Sequence, residues 1–510
     1  MTHQTQARAL PGGGIELAKI GFDNDKYIAM QSEQIRKRIS EFGGKLYLEF
    51  GGKLFDDFHA SRVLPGFKPD SKMNMLLKLK DQAEIVITIS AAAIDSNKRR
   101  GDLGITYDED VMRLIDAFRE IGLYVGSVVI TQYKGQRTAD AFRKRLRAQG
   151  IKVFRHYVIE GYPSNVPVIV SEQGYGRNDY IETERSLIVV TAPGPGSGKM
   201  ATCLSQLYHE HKRGVKAGYA KFETFPIWNL PLKHPVNLAY EAATADLNDV
   251  NMIDPFHLQA YGKIAVNYNR DVEIFPVLNA IFEKIYGQSP YKSPTDMGVN
   301  MVGNCIIDDE AVCEASRQEI IRRYYEALCA QRRGTGEADA VYKIELLMNQ
   351  EHIDIKERAV VAAAQSVAKK TDAPAVALQL PDGRIVTGKT KELLGASSAM
   401  LLNALKALSG IPDSVQLISA EIIEPVQALK VRYFGNRNPR LHMDEVLIAL
   451  SICAATDERA ARALSCLSML EDCEAHASVI LASVDETIFR RLKVNLTSEP
   501  NYETKRLYHR

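Results

Sequence analysis

No run of about 18 apolar residues occurs in this 510-residue chain, so no membrane-spanning helix is expected. A basic excess is missing too. Lys+Arg 64 against Asp+Glu 63 leaves a formal net charge of +1, which argues against a dedicated nucleic-acid binder. The cysteines (Cys203, Cys305, Cys313, Cys329, Cys453, Cys466 and Cys473) are odd in number and lack tight spacing. That pattern speaks against a disulfide framework and for reduced thiols in a cytoplasmic protein. The segment Met1–Gly14 is polar and glycine-rich, without the apolar stretch of a signal peptide. There is no internal repeat and no low-complexity tract. What remains is ordinary for a globular chain, 45% hydrophobic and 25% charged. Its length is too great for one core, and roughly two to four domains are expected.

The first 225 residues alternate strand and helix signals. Apolar runs at Lys45–Phe50, Glu84–Ser90, Ser127–Thr131, Lys152–Ile159, Ser186–Thr191 and Lys216–Lys221 read as strands. Between them, Asp25–Phe42, Ser71–Lys80, Asp108–Ile121, Thr138–Gln149 and Gly198–Lys212 have helical periodicity. This order predicts an α/β domain with a parallel sheet over residues 1–225. From 226 to 371 the strand signal fades, and helices at Phe256–Tyr268, Val272–Tyr286, Asp309–Arg332 and Ile355–Lys370 predict an all-α domain. Residues 372–510 read as a smaller α+β domain. It opens with a hairpin, Ala375–Leu380 and Arg384–Thr387, and has further strands near Val415–Ile418, Ala428–Tyr433 and Ser478–Ala482.

The stretch Ser186–Thr202 carries most of the chemistry. A buried strand runs into Pro193-Gly-Pro-Gly-Ser-Gly-Lys199, and a helix follows. Glycines at 194, 196 and 198 let backbone N–H groups approach an anion, and the helix start adds its positive dipole end. Gly194, Gly196, Ser197, Gly198, Lys199 and Thr202 are therefore candidate phosphate-binding residues. The phosphate-loop pattern G-x-x-x-x-G-K-[ST] is incomplete, since Pro193 and Met200 replace its first glycine and its Mg²⁺-binding hydroxyl. The dinucleotide pattern fails at Lys199, where it needs glycine.

Other polar groups follow strand ends, where open α/β sheets bind ligands. Lys53 and Arg62 are candidate anion anchors, with His59 between them as an acid/base candidate. Arg99 and Arg100, in a basic loop after Glu84–Ser90, are two more anchors. Cys473 and His476 offer at most half of a metal site. Asp308 or Asp309 reads as a helix N-cap. Tyr208-His-Glu-His-Lys-Arg213 lacks the second histidine of H-E-x-x-H, and no serine elbow is present.

Four separated blocks, Gly21–Tyr27, Gly51–Phe67, Ala192–Lys199 and Cys473–Ser478, resemble an uncharacterised bacterial family, that of the domain of unknown function 1846, close to full length. The resemblance implies α/β, helical and α+β parts, and no catalytic residue. The residues themselves point to a phosphorylated small molecule, most simply a nucleotide (with Mg²⁺), bound at 194–199 by a cytoplasmic homo-oligomer, with an enzyme as the leading class. No nucleic acid or membrane partner is expected. The alternatives are a ligand-sensing or scaffold protein and a metal-dependent enzyme centred on Cys473 and His476.

Overall fold

Strands buried on both faces cannot alternate polar and apolar residues, and the sequence LYLEF, AEIVITIS and LIVVT follow that rule. In the computed structural model, which describes residues 20–503 except Lys53, Asp56, Gly101 and Asp102, these become β1 (Leu46–Phe50), β2 (Ala83–Ser90) and β5 (Leu187–Thr191), each buried throughout. With them run β3 (Tyr124–Tyr133), β4 (Lys152–Tyr157) and β6 (Gly218–Phe222).

The middle segment is not all-helical. Asn251–Ile253 (β7) and Val266–Tyr268 (β8) pair antiparallel, and Gly298–Val299 (β9) joins the large sheet. That sheet has seven strands in the order β4-β3-β2-β5-β1-β6-β9. Every pair in it is parallel. The described residues group into two compact units, 20–241 with Asn248–Ser316, and Ala242–Leu247 with 317–503.

In the larger unit, Asn24–Glu41 (α1) begins at an Asp23 N-cap, and Tyr107–Glu120 (α2) at a capping box formed by Thr106 and Glu109. Arg137–Ala148 (α3) joins β3 to β4. Lys199–Lys212 (α4) and Asn269–Tyr286 (α5) supply one face of the core. There Cys203, Leu204 and Leu207 pack with Tyr47, Val190, Tyr219, Phe275 and Phe282.

The connections fix where a crevice can form. From β1 the chain moves outward through β2, β3 and β4, then returns with β5 between β2 and β1. The neighbours β2 and β5 are left in opposite directions, toward β3 and toward β6. Ligands bind outside the carboxyl ends of the strands at such a switch point, and Ala192–Gly198 follows β5 there.

The smaller unit is built on a mixed sheet of Ala375–Gln379 (β10), Ile385–Lys389 (β11), Glu474–Ala477 (β12) and Asn495–Ser498 (β13), ordered β11-β10-β12-β13. The hairpin forms as expected. The other strand expectations do not hold. Residues 415–418 form no strand, and Leu429–Tyr433 is a π-helical extension of the helix Ala420–Ala428. The apolar alternation there was misleading, since Val431 and Tyr433 are exposed while Lys430 is buried against Glu445. The last expected strand lies earlier, at β12. No helix among the described residues is long and apolar enough to cross a membrane.

Candidate functional site

The glycine-rich turn is held by short hydrogen bonds. Thr131, at the end of β3, donates through Oγ1 to the Ser197 carbonyl at 2.8 Å, and Ser197 Oγ donates to the Gly194 carbonyl at 2.8 Å. Gly198 caps α4 with φ 81°, and a Cβ there would stand 2.9 Å from Thr131 Oγ1. Gly194 lies against the Tyr107 hydroxyl. These two glycines are explained by close approach. Gly196 is different: its φ is 77°, and nothing lies within 4 Å of where a Cβ would be. Its left-handed backbone faces open space at the start of a 14-residue helix. Lys199 opens that helix, part-exposed and without a hydrogen bond or ion pair among the described residues.

Thr202 is turned inward. Its Oγ1 lies 3.5 Å from His156 Nδ1, and His156 Nε2 lies 3.2 Å from the Asp179 carbonyl. Burial lowers the His156 pKa to about 4. The ring is therefore neutral, Nε2 donating to the carbonyl and Nδ1 accepting from Thr202. The threonine hydroxyl is thus engaged away from the turn.

The basic anchors are dispersed. Arg99 donates to the Gly104 carbonyl at 2.6 Å, and Arg100 is paired with the fully buried Asp110 at 2.8 Å. Arg62 ends the short helix Phe58–Val63. His59, in the same helix, sits edge-on to Phe225 and Tyr240 at 5.2 and 5.3 Å. Beside it, Asp57 pairs with Lys72 at 2.6 Å, both side chains nearly inaccessible. Lys53 lies outside the described residues.

A charged cluster missed by the sequence reading occupies the carboxyl ends of β1 and β6. Glu49 and Lys221 are register partners on these adjacent strands, and Val190 of β5 is the partner of Glu49 on the other side. Tyr219 donates to Glu49 Oε2 at 2.6 Å. Lys221 pairs with Glu223 at 2.8 Å and also with Asp271, in the first turn of α5. Three carboxylates thus surround one ammonium. Burial works against the charge on Lys221, but Asp271, Glu223 and Glu49 outweigh it and hold its pKa above the ordinary value. Burial, with Asp271 adding to it, pushes Glu223 up to about 7 against the pull of Lys221. The turn and the cluster meet at Cys203, one turn into α4. Its buried thiol is pushed up by burial and by Glu49, and pulled down by Lys199. A charge inside an apolar strand, Glu49 in LYLEF and Lys221 in GYAKF, is the signal that marks this cluster.

Elsewhere in this unit, His234, Asp309 and Cys313 bring three ligand atoms within 4.8 Å of one another. His234 Nε2 is 3.0 Å from Asp309 and 3.6 Å from Cys313 Sγ. Its Nδ1 accepts the Val236 N–H at 3.3 Å. That contact leaves the neutral ring's proton on Nε2, directed at Asp309, where a metal ligand would need a lone pair. Asp308 caps the helix Asp309–Arg333, accepting from Ala311 N at 3.0 Å.

In the smaller unit, Cys473 and His476 do not face each other. Cys473 belongs to the apolar core with Ala475 and Ala477. His476 is fully buried among other partners, Thr497 Oγ1 at 2.8 Å, Glu499 at 3.2 Å and the edge of Tyr325. A cavity of about 910 Å³ also lies in this unit, lined in part by Leu393, Leu402, Leu417 and Lys406.

Fold and site define an open α/β protein whose seven-stranded parallel sheet carries a buried charged cluster at the carboxyl ends of β1 and β6. The chain belongs to the family described as domain of unknown function DUF1846, whose N-terminal part matches residues 20–352 and whose C-terminal part matches residues 356–508. It is 59% identical to a UPF0371 protein of Corynebacterium urealyticum, over 96% of this chain and 99% of that one. Similar UPF0371 proteins occur in Streptococcus thermophilus, 57% identical over 97% of this chain and 100% of the relative, and in Streptococcus pyogenes serotype M5, 58% over 96% and 99%.

Proposed function

We propose that this protein binds a phosphorylated small molecule, most simply a nucleotide, at Gly194–Lys199, and that it is an enzyme acting on that ligand. One observation carries the reading. Gly196 holds a left-handed backbone facing open space, beside a left-handed Gly198 N-cap and a free-standing Lys199, at the switch point of a parallel sheet. Backbone N–H groups of Gly196, Ser197 and Gly198 would receive the anion, and Lys199 would balance its charge. The rival reading, ligand sensing without turnover, is favoured by Met200 and by the inward Thr202, which leave the usual Mg²⁺ hydroxyl of a phosphate loop unfilled.

A thermal-shift screen with nucleotides and sugar phosphates tests the binding. A ligand at 100 times its Kd stabilises the folded state by about 2.7 kcal/mol. Wild type is expected to respond, and Lys199→Ala to respond much less. Equal responses, or none in wild type, would remove the assignment. Turnover of the bound nucleotide with Mg²⁺ then separates enzyme from sensor.

A further inference from the structure

We propose that the ligand held at the glycine-rich turn carries a vicinal diol, which Glu49, Glu223 and Asp271 receive around Lys221 while Tyr175 supplies a further hydrogen bond. The inference rests on the reading of the turn as an anion site. It adds what the rest of the crevice selects.

Geometry supports it first. Val190 of β5 and Lys221 of β6 flank Glu49 in register. Two residues beyond Val190 the turn begins. The helices covering this face, α4 and α5, both start at this end of the sheet, with Lys199 and Asp271 in their first turns. Glu49 is therefore roughly one strand spacing, about 5 Å, from β5, and Lys221 about two, before the reach of the side chains. That span suits a phosphate joined to a sugar ring.

Charge supports it second. Beside a nest built for an anion stand three carboxylates and one ammonium. A second anionic group would be repelled there. Hydroxyl groups are not, because each donates a hydrogen bond to a carboxylate, and a diol donates two. Tyr219 donates to Glu49, and Lys221 pairs with Glu223 and Asp271; carboxylates accept more than one bond.

The third observation is independent of both. The Tyr175 hydroxyl is fully buried and has no hydrogen-bond partner among the described residues. Its electrostatic neighbours are Tyr162 and Cys203, and both of these sense Glu49. Tyr175 shares its core with Cys203, Val190 and Tyr219, and Tyr219 is the donor to Glu49. A buried hydroxyl without a partner is unfavourable, and a ligand hydroxyl would supply one.

Calorimetric titration of the full chain tests the proposal, with inorganic phosphate, glucose 6-phosphate, ADP and 2′,3′-dideoxy-ADP as probes. A diol-bearing probe is expected to bind about ten-fold or more tighter than its diol-less counterpart, the size of one charge-assisted hydrogen bond. Glucose 6-phosphate against phosphate reads a sugar source, and ADP against the dideoxy form a ribonucleotide source. Glu223→Gln should abolish most of that ratio while leaving the phosphate Kd within about two-fold. Tyr175→Phe is the second variant. It removes only the partnerless hydroxyl, so it should fold with an unchanged or higher Tm and lose part of the ratio. Lys199→Ala should weaken every probe alike. If both ratios are near one in wild type while Lys199→Ala still weakens binding, the diol is refuted and the anion site stands. If the ratio persists in both Glu223→Gln and Tyr175→Phe, the assigned residues are refuted. If no probe binds wild type, the reading of the turn fails as well.

Discussion

Two buried groups in the larger unit should make its stability respond to pH in opposite directions. His156 has its pKa lowered by burial from 6.5 to about 4. Between those values the unfolded chain takes up a proton that the folded one refuses. The contribution of His156 is therefore complete above pH 6.5 and lost as pH falls toward 4. Glu223 runs the other way: burial raises it from 4.5 to about 7. Its contribution is complete below 4.5 and lost as pH rises through 7. Each spans about 2.5 pH units, or about 3 kcal/mol at 1.36 kcal/mol per unit. His156→Gln should leave the glutamate alone, so the unit becomes more stable on acidification from pH 7.5 to 4.5. Glu223→Gln should leave the histidine alone, so it becomes less stable. The larger unit spans roughly 290 residues, and at about 2.1 cal/mol/K per residue the swing is about 5 °C in Tm. Trp228, the one tryptophan of the chain, lies in this unit and bonds the Asn300 carbonyl at 3.0 Å. Its fluorescence therefore follows the relevant transition. Parallel pH profiles for the two variants would refute the burial argument, whatever the offset each substitution introduces.

Gly198→Ala should destabilise the larger unit by about 1–3 kcal/mol, more than Gly196→Ala, because both force alanine to positive φ but only Gly198 also meets Thr131. Chemical denaturation compares them, and equal losses would contradict the packing role given to Gly198. In the smaller unit, Arg358 is nearly inaccessible, pairs with Glu474 and donates to the carbonyls of Ala475 and Asn495. Arg358→Leu should cost about 3 kcal/mol by leaving those groups unpaired. A stable variant in urea titration monitored by circular dichroism would show that the network is dispensable.

What the sequence displayed, and what it hid, follows from the range of the interactions. Glu84–Ser90 and Ser186–Thr191 were legible as strands because a parallel strand covered on both faces must be continuously apolar. The glycine-rich turn was legible for the same local reason, every residue of it being adjacent in the chain. Gly298–Val299 was not, since two residues carry no period and only their pairing with Lys221 and Phe222 makes them a strand. Leu429–Tyr433 misled because an apolar alternation also fits a helical segment with one buried lysine. The charged cluster was hidden most completely. Glu49, Lys221 and Asp271 are far apart in sequence, and a charge inside an apolar strand marks Glu49 and Lys221 without saying that they meet. Only the register of β1 on β6 and the packing of α5 bring them together. Cys473 and His476 show the converse: close spacing suggested a pair, yet the cysteine joins the core while the histidine turns to Tyr325 and Glu499.

The return of β5 to the middle of the sheet has a consequence during synthesis. Leu46 of β1 pairs with Leu187 of β5 on one side and Gly218 of β6 on the other. Both partners are made long after β1 leaves the ribosome. About 140 residues separate the first pair, which at about 5–20 residues per second is about 7–28 s. Throughout that interval the apolar strand LYLEF has neither neighbour, while β2, β3 and β4 can already pair among themselves. The first strand of the sheet to be made thus waits for both of its neighbours, and it is the segment that a holdase would find open.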